Sequence, residues 1–447
     1  MHLSKKILHI TPHLGGGVGS VVLNWIEKDV FQNIHTIISL DKNKNNDWIR
    51  VNEKCERVTI YDDCYIRSDF TSFFENCIEQ NDVVVVHWWN HPLLYTVMLN
   101  YKWPECRVIA WNHVNSLMPP YSMPEKLIDF VDALVFTSPV SYECNEVKKW
   151  DDGKKEKLDA IWSTIGVESF ENLERMPHDD FIVGYTGTVD FGKLNKNYIK
   201  MCADVNLPDV KFVVCSGDSQ EHLVEEAKQL GVFERFSFEG RVPSVIPYLA
   251  RYDVFGYPLQ PQHFATCEQS LGEAMMAGCV PVVLNNPTEK YIVKHNETGI
   301  IVNTLSEYSR AIEYLYYNRD ELKRLSENAK KYAKYQYDIK RTMQNWNSKF
   351  EQALTMNKRY RSWDSENKLL SPSMLYIESL GEYAHPLKQY LYAVSKDDRE
   401  EAVKGIKKLF NTNSMFYSNN KGSVLLYLQF FPEDTILQEW ANILKDG

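Results

Sequence analysis

The sequence predicts an α/β protein built from doubly wound domains, and three observations carry that prediction. The chain has 447 residues, which exceeds what one hydrophobic core organises, so two or three domains are expected. Residues 5–11 form a short apolar run that is followed by a glycine-rich turn and a segment with helical spacing. Continuous β-branched runs such as 83–86 are typical of strands covered on both faces in a parallel sheet.

The first domain is predicted over residues 1–167 and the second over 181–355. A polar stretch without periodicity, 168–180, indicates a linker between them. The buried strands expected in the first domain are 5–11, 35–40, 82–89, 107–112 and 133–138. Those expected in the second are 181–187, 211–217, 235–240, 253–258, 280–284 and 299–302.

The end of the chain has a different character. The second domain is expected to finish in a long helix around 305–354. From 356 a polar, basic stretch leads into helical segments such as REEAVKGIKKLF and SVLLYLQFF. Residues 356–447 are therefore predicted to form a mainly helical extension, whose role stays open.

Composition limits the classes of partner. The net charge of −10 argues against nucleic acid, whose phosphate backbone is bound by basic surfaces. The nine cysteines are scattered without a C-x-x-C pair, which indicates reduced thiols and not a disulfide framework or a zinc site. No signal peptide is evident, and no run approaches the ~18–20 apolar residues that span a bilayer. We expect a cytoplasmic protein, with peripheral contact at the inner face of a membrane left open.

A glycine-rich turn, LGGGVGS, lies between the first strand and the first helix. Glycine lets the backbone come close to a phosphate, and the N–H groups of a helix start attract negative charge. Gly16 and Gly17 are therefore candidates for an anion site, with an ordinary tight turn as the alternative. The spacing departs from the G-x-G-x-x-G dinucleotide fingerprint, so NAD is not specifically indicated.

Two glutamates lie in the stretch HFATCEQSLGEAMMAGCVPVVL, residues 263–284. The pattern predicts a helix that begins near Thr266 and ends at Ala277 before Gly278. Glu268 would lie in its first turn and Glu273 among apolar residues in its middle. Five positions on a helix are about 140° apart, so the two carboxylates are not expected to act as a paired acid and base.

Residues 268–302, EQSLGEAMMAGCVPVVLNNPTEKYIVKHNETGIIV, resemble the donor-binding region of retaining GT-B glycosyltransferases of the family-four, or group 1, type. In that family a glutamate and seven residues precede the motif Glu-Ala-Met-Ala-x-Gly-x-Pro-Val-Val. The resemblance implies the GT-B fold, in which two Rossmann-like domains face each other across a cleft. The first domain would then hold the acceptor and the second the nucleotide sugar.

Carried over residue by residue, the resemblance gives Glu273 the role of hydrogen-bonding the nucleotide ribose, which suits a carboxylate. Lys193 takes the position of a lysine that clamps the diphosphate. The other donor-binding residues that the resemblance implies are Gly187, Arg241, Val242, Thr266 and Cys267, together with Gly16 and Gly17 of the first domain.

The sequence departs from the family at two positions. The first glutamate of the motif falls on Ala265, and Glu268 is the expected substitute. Thr188 stands where the family often has an arginine, whose loss removes a bidentate clamp on the diphosphate. Lys196 and Arg241 are the candidates for a compensating cation.

In the first domain the resemblance places His113 in contact with the transferred sugar, and Trp88, Asn90 and Asn112 on the acceptor side. His87 and His91 are four residues apart, as zinc ligands on a helix are. Their local pattern is strand then loop and offers no third ligand, so no metal site is predicted.

Taken together, the residues and the resemblance predict a metal-independent, retaining glycosyltransferase of hexosyl type that needs no cofactor. Its donor would be a UDP- or GDP-linked sugar and its acceptor a hydroxyl of a glycan or lipid-linked sugar in surface polysaccharide or glycolipid assembly. His113, Lys193 and Glu268 are the catalytic candidates. Two alternatives stay open, a GT-B sugar-nucleotide epimerase and a non-catalytic binding partner of another transferase. The oligomeric state is not predicted.

Overall fold

The computed structural model describes residues 4–43, 46–164, 166–363, 369–419 and 422–445. The chain divides into two compact units. The first unit comprises Met1–Ser163 and Lys340–Gly447, and the second comprises Thr164–Ile339. Each unit contains one parallel sheet of the doubly wound type, which confirms the predicted fold class.

The first unit is built on a seven-stranded sheet in which every pair of neighbouring strands is parallel. Its strands and the nearby β5 are β1 (Lys6–Thr11), β2 (Ile34–Ser39), β3 (Val58–Tyr61), β4 (Val83–Trp88), β5 (Trp103–Cys106), β6 (Val108–Asn112), β7 (Ala133–Phe136) and β8 (Leu158–Ala160). The sheet order is β3-β2-β1-β4-β6-β7-β8. The helices between them are α1 (Gly16–Glu27), α2 (Asp47–Lys54), α3 (Phe70–Glu79), α4 (Pro92–Asn100), α5 (Glu125–Phe130), α6 (Asn145–Lys149) and α7 (Asp152–Lys155).

The second unit has a six-stranded sheet with the order β11-β10-β9-β12-β13-β14. Its strands are β9 (Phe181–Thr186), β10 (Val210–Cys215), β11 (Phe236–Gly240), β12 (Val254–Tyr257), β13 (Val280–Leu284) and β14 (Ile300–Val302). Its helices are α8 (Tyr198–Ala203), α9 (Glu221–Gln229), α10 (Ile246–Leu249), α11 (Gln269–Met276), α12 (Glu289–Ile292), α13 (Leu305–Tyr317) and α14 (Arg319–Gln336).

The remaining elements belong to the first unit. They are α15 (Ile339–Leu354), β15 (Arg359–Arg361), α16 (Pro372–Leu380), α17 (His385–Tyr392), α18 (Lys396–Phe410), α19 (Val424–Phe430) and α20 (Thr435–Lys445). No helix of the described residues combines the length and the apolar character needed to cross a bilayer.

The runs that predicted buried strands are buried in the structure. Val83–Val86 of β4 are at most 1% exposed, because helices cover both faces of the sheet. The single long helix predicted around 305–354 is wrong: three helices occupy this stretch, with breaks at Asn318 and Tyr337. Asn318 has the non-helical backbone angles φ −116° and ψ 69°, and its side-chain amide donates to the carbonyl of Tyr314, which ends α13.

The C-terminal residues group differently from the predicted division. From Lys340 on, the chain packs with the first unit and not with the second. β15 pairs antiparallel with β5, and the Arg361 guanidinium contacts the Asp132 carboxylate with Nη1 3.0 Å from Oδ1. The side-chain amide of Asn90 donates to the carbonyl of Ser379 at 3.1 Å, which ties α16 to the end of β4. The helical extension is therefore part of the first unit's core.

Candidate functional site

The two sheets share one strand order. When the strands of each sheet are numbered along the chain, both sheets read 3-2-1-4 from one edge. The later strands follow the fourth in chain order, as β6, β7 and β8 in the first unit and as β13 and β14 in the second. In such sheets the order reverses between the first and fourth strands, and ligands bind at the carboxyl ends of the strands beside that reversal. In the second unit this point lies between β9 and β12. It is where the sequence placed the donor-binding residues.

Lys193 and Glu268 meet at this reversal point. Lys193 follows β9 and Glu268 follows β12, and the lysine Nζ lies 3.0 Å from Oε2 of the carboxylate. The hydroxyl of Tyr257, the last residue of β12, donates to the same oxygen. The Glu268 side chain is 2% exposed, so this is a buried ion pair. Two of the three catalytic candidates, Lys193 and Glu268, are thus in contact.

Glu268 does not lie within the helix as predicted. The helix begins at Gln269, and Glu268 precedes it with φ 37° and ψ 76°, the left-handed region that non-glycine residues seldom adopt. The predicted helix start at Thr266 is wrong because this left-handed turn delays the first helical residue. Thr266 and Cys267 consequently precede the helix, so their N–H groups are not those of its first turn. Such a strained residue is typical of a functional site.

The carboxylate of Glu268 is ionised but incompletely paired. Burial raises its pKa, but Lys193, His263 and the Tyr257 hydroxyl outweigh burial and hold the pKa below its ordinary value. Its second oxygen, Oε1, is buried and accepts no hydrogen bond within the described residues. A buried polar atom without a partner is costly, and a ligand hydroxyl would satisfy it.

A second buried pair, His263 and Glu289, stands in the same region and was missed by the sequence reasoning. The His263 Nε2 atom lies 3.1 Å from Oε1 of Glu289, whose side chain is 0% exposed. Burial lowers the pKa of His263, but the Glu289 carboxylate outweighs it and raises the pKa. His263 also accepts a hydrogen bond through Nδ1 from the N–H of Ala265 and so orders the loop before Glu268. The sequence feature that could have indicated this pair is a histidine in a loop that contains prolines.

Glu273 lies in α11 and is mostly buried. No hydrogen bond or ion pair of its carboxylate is found within the described residues, and burial raises its pKa to about 7. The ionised carboxylate therefore lowers the stability of the folded protein when no ligand is bound. This is the property expected of a residue that waits for hydroxyl donors from a ligand.

The other donor candidates follow neighbouring strands of the same sheet. Gly187 follows β9 with φ 152°, and its N–H donates to the carbonyl of Cys215 at 3.1 Å. Arg241 and Val242 follow β11. A Cβ built on Gly217 would lie 3.0 Å from Nη2 of Arg241, so this exposed guanidinium rests on the turn after β10. The candidates thus share the carboxyl edge, whereas their roles remain predictions.

The glycine turn of the first unit has two kinds of glycine. A Cβ at Gly19 would lie 2.7 Å from the backbone carbon of Leu14, so Gly19 is needed for packing. A Cβ at Gly16 or Gly17 would meet nothing within 4 Å, and Gly16 has φ +58° at the start of α1. Gly16 and Gly17 therefore expose backbone where an anion could approach.

The acceptor-side candidates are internal to the first unit. The side chains of Trp88, Asn90 and Asn112 are each 0% exposed. The Asn112 amide donates to the carbonyl of Val114 at 2.7 Å and so shapes the turn that carries His113. A direct acceptor contact by these three side chains stays a prediction.

His113 is 8% exposed and follows β6. Its Nε2 lies 3.0 Å from Nδ1 of His87. The spacing of His87 and His91 does not form a pair of ligands, because His91 caps α4 by accepting from the N–H of Leu93 at 3.2 Å. Among the residues that the structure describes, no group of three or more His, Cys, Asp or Glu could hold a metal ion.

The chain resembles known proteins in sequence over part of the second unit and in structure over most of its length. Residues 168–332 match the model of the family described as "Glycosyl transferases group 1". The structure is similar to a glycosyltransferase from Rickettsia africae, with a TM-score of 0.64, 13% identity, and coverage of 79% of this chain and 99% of that one. It is also similar to Anabaena Alr3699/HepE in complex with UDP and glucose, with a TM-score of 0.61, 13% identity and coverage of 78% and 100%.

A third similar structure is the sucrose-phosphate synthase of Thermosynechococcus elongatus, with a TM-score of 0.60, 13% identity and coverage of 78% and 100%. No curated protein sequence matches the chain significantly. At such identities the structural likeness shows the fold, and that fold is GT-B. The match to the group 1 glycosyltransferase family covers residues 168–332, which lie in the second unit, and it supports sugar transfer as the class of reaction.

Proposed function

We propose that the protein is a retaining transferase that takes its sugar from a nucleoside diphosphate donor held at the carboxyl edge of the second sheet. The observation that carries this proposal is the buried Lys193–Glu268 pair at the reversal between β9 and β12. It combines a cation, an ionised carboxylate with one unpaired oxygen, and a strained backbone. These are the features of a site prepared for a polar ligand.

Lys193 supplies positive charge for the departing diphosphate. An ammonium has three N–H donors, and in the structure one of them faces Glu268. The other two N–H groups can donate to phosphate oxygens as negative charge develops on the leaving group. This role gains weight because Thr188 replaces the arginine that the family often carries.

Glu268 is proposed to replace the first glutamate of the family motif, whose position Ala265 occupies. Its Oε1 atom is buried and lacks a partner within the described residues, so it can accept a hydrogen bond from a hydroxyl of the donor sugar. The contacts from Lys193 and Tyr257 fix the carboxylate on its other side. We assign it to sugar positioning and not to acid–base catalysis, since its pKa is lowered.

Glu273 is proposed to accept the two ribose hydroxyls. Burial raises its pKa to about 7, so it is partly protonated in the absence of donor at neutral pH. Two hydroxyl donors stabilise the charged form and would lower the pKa. Nucleotide binding near pH 7 should therefore release up to about half a proton.

The base and the acceptor are proposed from the comparison with known structures and from the family resemblance. A UDP-linked donor is supported by the UDP and glucose in the similar Anabaena structure, and a GDP-linked donor is the alternative. The acceptor is proposed to be a hydroxyl of a glycan or lipid-linked sugar in surface polysaccharide or glycolipid assembly, as the family resemblance implies. Peripheral contact with a membrane would accompany a lipid-linked acceptor.

The chemical step follows from the family resemblance. The bond between the anomeric carbon and the diphosphate oxygen breaks, and the new bond to the acceptor oxygen forms on the same face. The leaving phosphate takes the acceptor proton, so no side-chain nucleophile and no metal are required. The protein's part is to orient the donor and to stabilise the charge of the leaving group.

The proposal is tested by incubating the protein with UDP- and GDP-sugars and octyl glycosides as acceptor probes, with and without EDTA. We expect a free nucleoside diphosphate and a product whose anomeric proton coupling by NMR matches that of the donor, in both conditions. Lys193→Ala should lower turnover by about 10²–10³-fold. The exposed Lys200→Ala on α8 is the matched control. An inverted product, a donor that is only epimerised, or dependence on added metal would contradict the proposal.

A further inference from the structure

A cavity of about 310 Å³ lies between the C-terminal helices and the rest of the first unit. One wall is formed by α5 and α6, and the other by α16, the turn that follows it, and α17. Its volume lies at the lower end of the range of about 300–1,000 Å³ in which proteins bind small molecules. None of the described residues assigned above to the donor or the acceptor lines it.

The cavity lies close to the carboxyl edge of the first sheet. The side-chain amide of Asn90, just after β4, donates to the carbonyls of Ser122 and Ser379, each at 3.1 Å. Ser122 directly precedes the wall residue Met123, and Ser379 directly follows the wall residue Glu378. In doubly wound sheets this is the edge at which ligands bind.

Glu146 of α6 lines the cavity and is incompletely paired. The residue is only 7% exposed. The Cys144 thiol donates to its Oε2, with the sulfur 2.9 Å from that oxygen. The other oxygen, Oε1, is buried and has no hydrogen-bond partner in the part of the chain that the structure describes. A buried polar atom in this state lowers stability, and a ligand group at the cavity would satisfy it.

The group that satisfies Oε1 must suit both protonation states of the carboxyl. Burial raises the pKa of Glu146, the Cys144 thiol lowers it, and Glu382 raises it further. An ionised carboxylate only accepts hydrogen bonds, whereas a protonated one also donates. A hydroxyl fits either state because it can both donate and accept. An ammonium only donates and an ionised phosphate only accepts, so each of them fits a single state.

The charges around the cavity balance one another. They form the ion pairs Lys126–Glu378 at 3.1 Å, Lys149–Glu382 at 2.7 Å and Lys154–Glu125 at 2.5 Å. The other charged residues of the wall are Glu146 and Lys388, one of each sign. A charged ligand would meet no excess of opposite charge to compensate its loss of water. The balance therefore favours a neutral ligand.

The rest of the wall is largely apolar. It is formed mainly by Met123, Pro124, Trp150 and Ile377. A sugar ring presents hydroxyl groups at its edge and C–H groups on its faces. An apolar wall with a few polar groups at fixed positions suits such a ligand.

We propose that this cavity is a saccharide-binding site of its own, in which Oε1 of Glu146 pairs with a hydroxyl and the apolar wall contacts the C–H face of the sugar ring. The C-terminal helices thereby supply one wall of a binding site. Binding at this site rests on the cavity and on Glu146, and it goes beyond the proposed transfer of a sugar.

Binding is tested by saturation-transfer difference NMR on the full chain without nucleotide. The probes are the methyl glycosides of glucose, galactose, mannose and N-acetylglucosamine, and we expect at least one of them to bind. Glu146→Gln should weaken that binding about tenfold, because the Cys144 thiol holds the amide oxygen and an NH₂ group then replaces Oε1. Glu79→Gln, an exposed position on α3, is the matched control. Binding of none of the four sugars, or equal binding by Glu146→Gln, would overturn the proposal.

Met123 provides a readout that needs no change to Glu146. The chain has 12 methionines, which can be labelled with ¹³C at the methyl group, and Met123→Leu assigns the signal. We expect the bound sugar to shift the Met123 signal and to leave that of Met201, on α8 of the second unit, in place. A sugar that binds without moving the Met123 signal would place the site elsewhere and overturn the proposal.

Charged derivatives test the class of ligand. The 2-amino and 6-phosphate derivatives of the sugar that binds carry a positive and a negative charge. Since the charges of the wall balance, neither derivative should bind more tightly than the neutral sugar. Binding of either derivative about tenfold more tightly would overturn the assignment to a neutral saccharide.

The proposed function gives this site a role with glycan acceptors, of which it would hold a sugar unit other than the one that reacts. Glu146→Gln should then raise the KM for oligosaccharide acceptors about tenfold. An unchanged KM in a variant that has lost sugar binding would contradict this role. Absence of transfer by the unmodified protein would contradict the proposed function, while saccharide binding stays measurable in the same samples.

Discussion

The two units share a strand order, and each has a cluster of buried ionisable groups, but the two clusters differ in how completely they are paired. In the first unit, a histidine row formed by His35, His9, His87 and His113 has neighbouring rings within hydrogen-bond distance, and His35 contacts the Asp29 carboxylate. In the second unit, Glu268 keeps one buried oxygen unpaired, and Glu273 has no polar partner within the described residues. Fully paired groups orient a neighbour, whereas unpaired ones lower stability until a ligand arrives. The contrast distinguishes a cluster that is paired within the protein from one that keeps an acceptor for a ligand.

The largest expected effect comes from breaking the buried pair of the second unit. Lys193→Ala would leave the Glu268 carboxylate, which is 2% exposed, without its cation. We expect a loss of about 3–5 kcal/mol in the free energy of unfolding, measured by urea denaturation. The double variant Lys193→Ala with Glu268→Gln should recover much of that loss because it removes the uncompensated charge. A single-variant cost below about 1 kcal/mol, comparable to the Lys200→Ala control, would contradict the pairing.

Glu273→Gln should raise the free energy of unfolding at neutral pH, whereas Lys193→Ala lowers it. The pKa of Glu273 is raised from 4.5 to about 7, so the folded state holds its proton longer than the unfolded state does. The free energy of unfolding therefore falls as pH rises between these values, and above about pH 7 the loss totals about 3 kcal/mol. The glutamine variant lacks this loss.

Glu273→Gln is accordingly expected to match the unmodified protein near pH 4.5 and to exceed it in stability above pH 7. Thermal unfolding from pH 4.5 to 8 measures the difference, with the exposed Glu225→Gln on α9 as the control. A difference that does not grow with pH would show that the Glu273 carboxylate is not held at a raised pKa.

The smallest effects distinguish the two kinds of glycine in the first unit. Gly19→Ala would set a Cβ 2.7 Å from the backbone carbon of Leu14, which cannot move freely, and should cost about 1–3 kcal/mol. Gly17→Ala meets nothing within 4 Å and lies in α1, so stability should be unchanged or raised by up to about 1 kcal/mol. Equal effects in denaturation experiments would contradict the assignment of Gly19 to packing and Gly17 to an open surface.

The structural features that depend on the local pattern of residues could be predicted from the sequence. Runs of apolar residues located the strands that form the centres of both sheets, and Gly278, with φ +83°, ends α11 as expected. The strands that were not predicted, β3, β5, β8 and β15, have three or four residues each. Such short segments carry too few residues for periodicity to be recognised.

Features that depend on tertiary contacts could not be predicted in this way. The left-handed turn at Glu268 accompanies contacts with Lys193, which follows β9, and with Tyr257, which ends β12. The C-terminal residues join the first unit through β15 and Arg361, and a polar sequence gives no indication of its partner. The histidine row is assembled from strands far apart in the chain, so only the sheet order reveals it.

The most direct test of the central claim, a nucleoside diphosphate site around Lys193 and Glu273, is calorimetric titration with UDP and with GDP at pH 7. The titration is repeated in two buffers of different ionisation enthalpy, with the unmodified protein, Glu273→Gln and Glu225→Gln. We predict that one nucleotide binds with release of up to about half a proton. Glu273→Gln should bind it about tenfold more weakly and without proton release. Binding of neither nucleotide, or equal binding and proton release in Glu273→Gln, would contradict the claim.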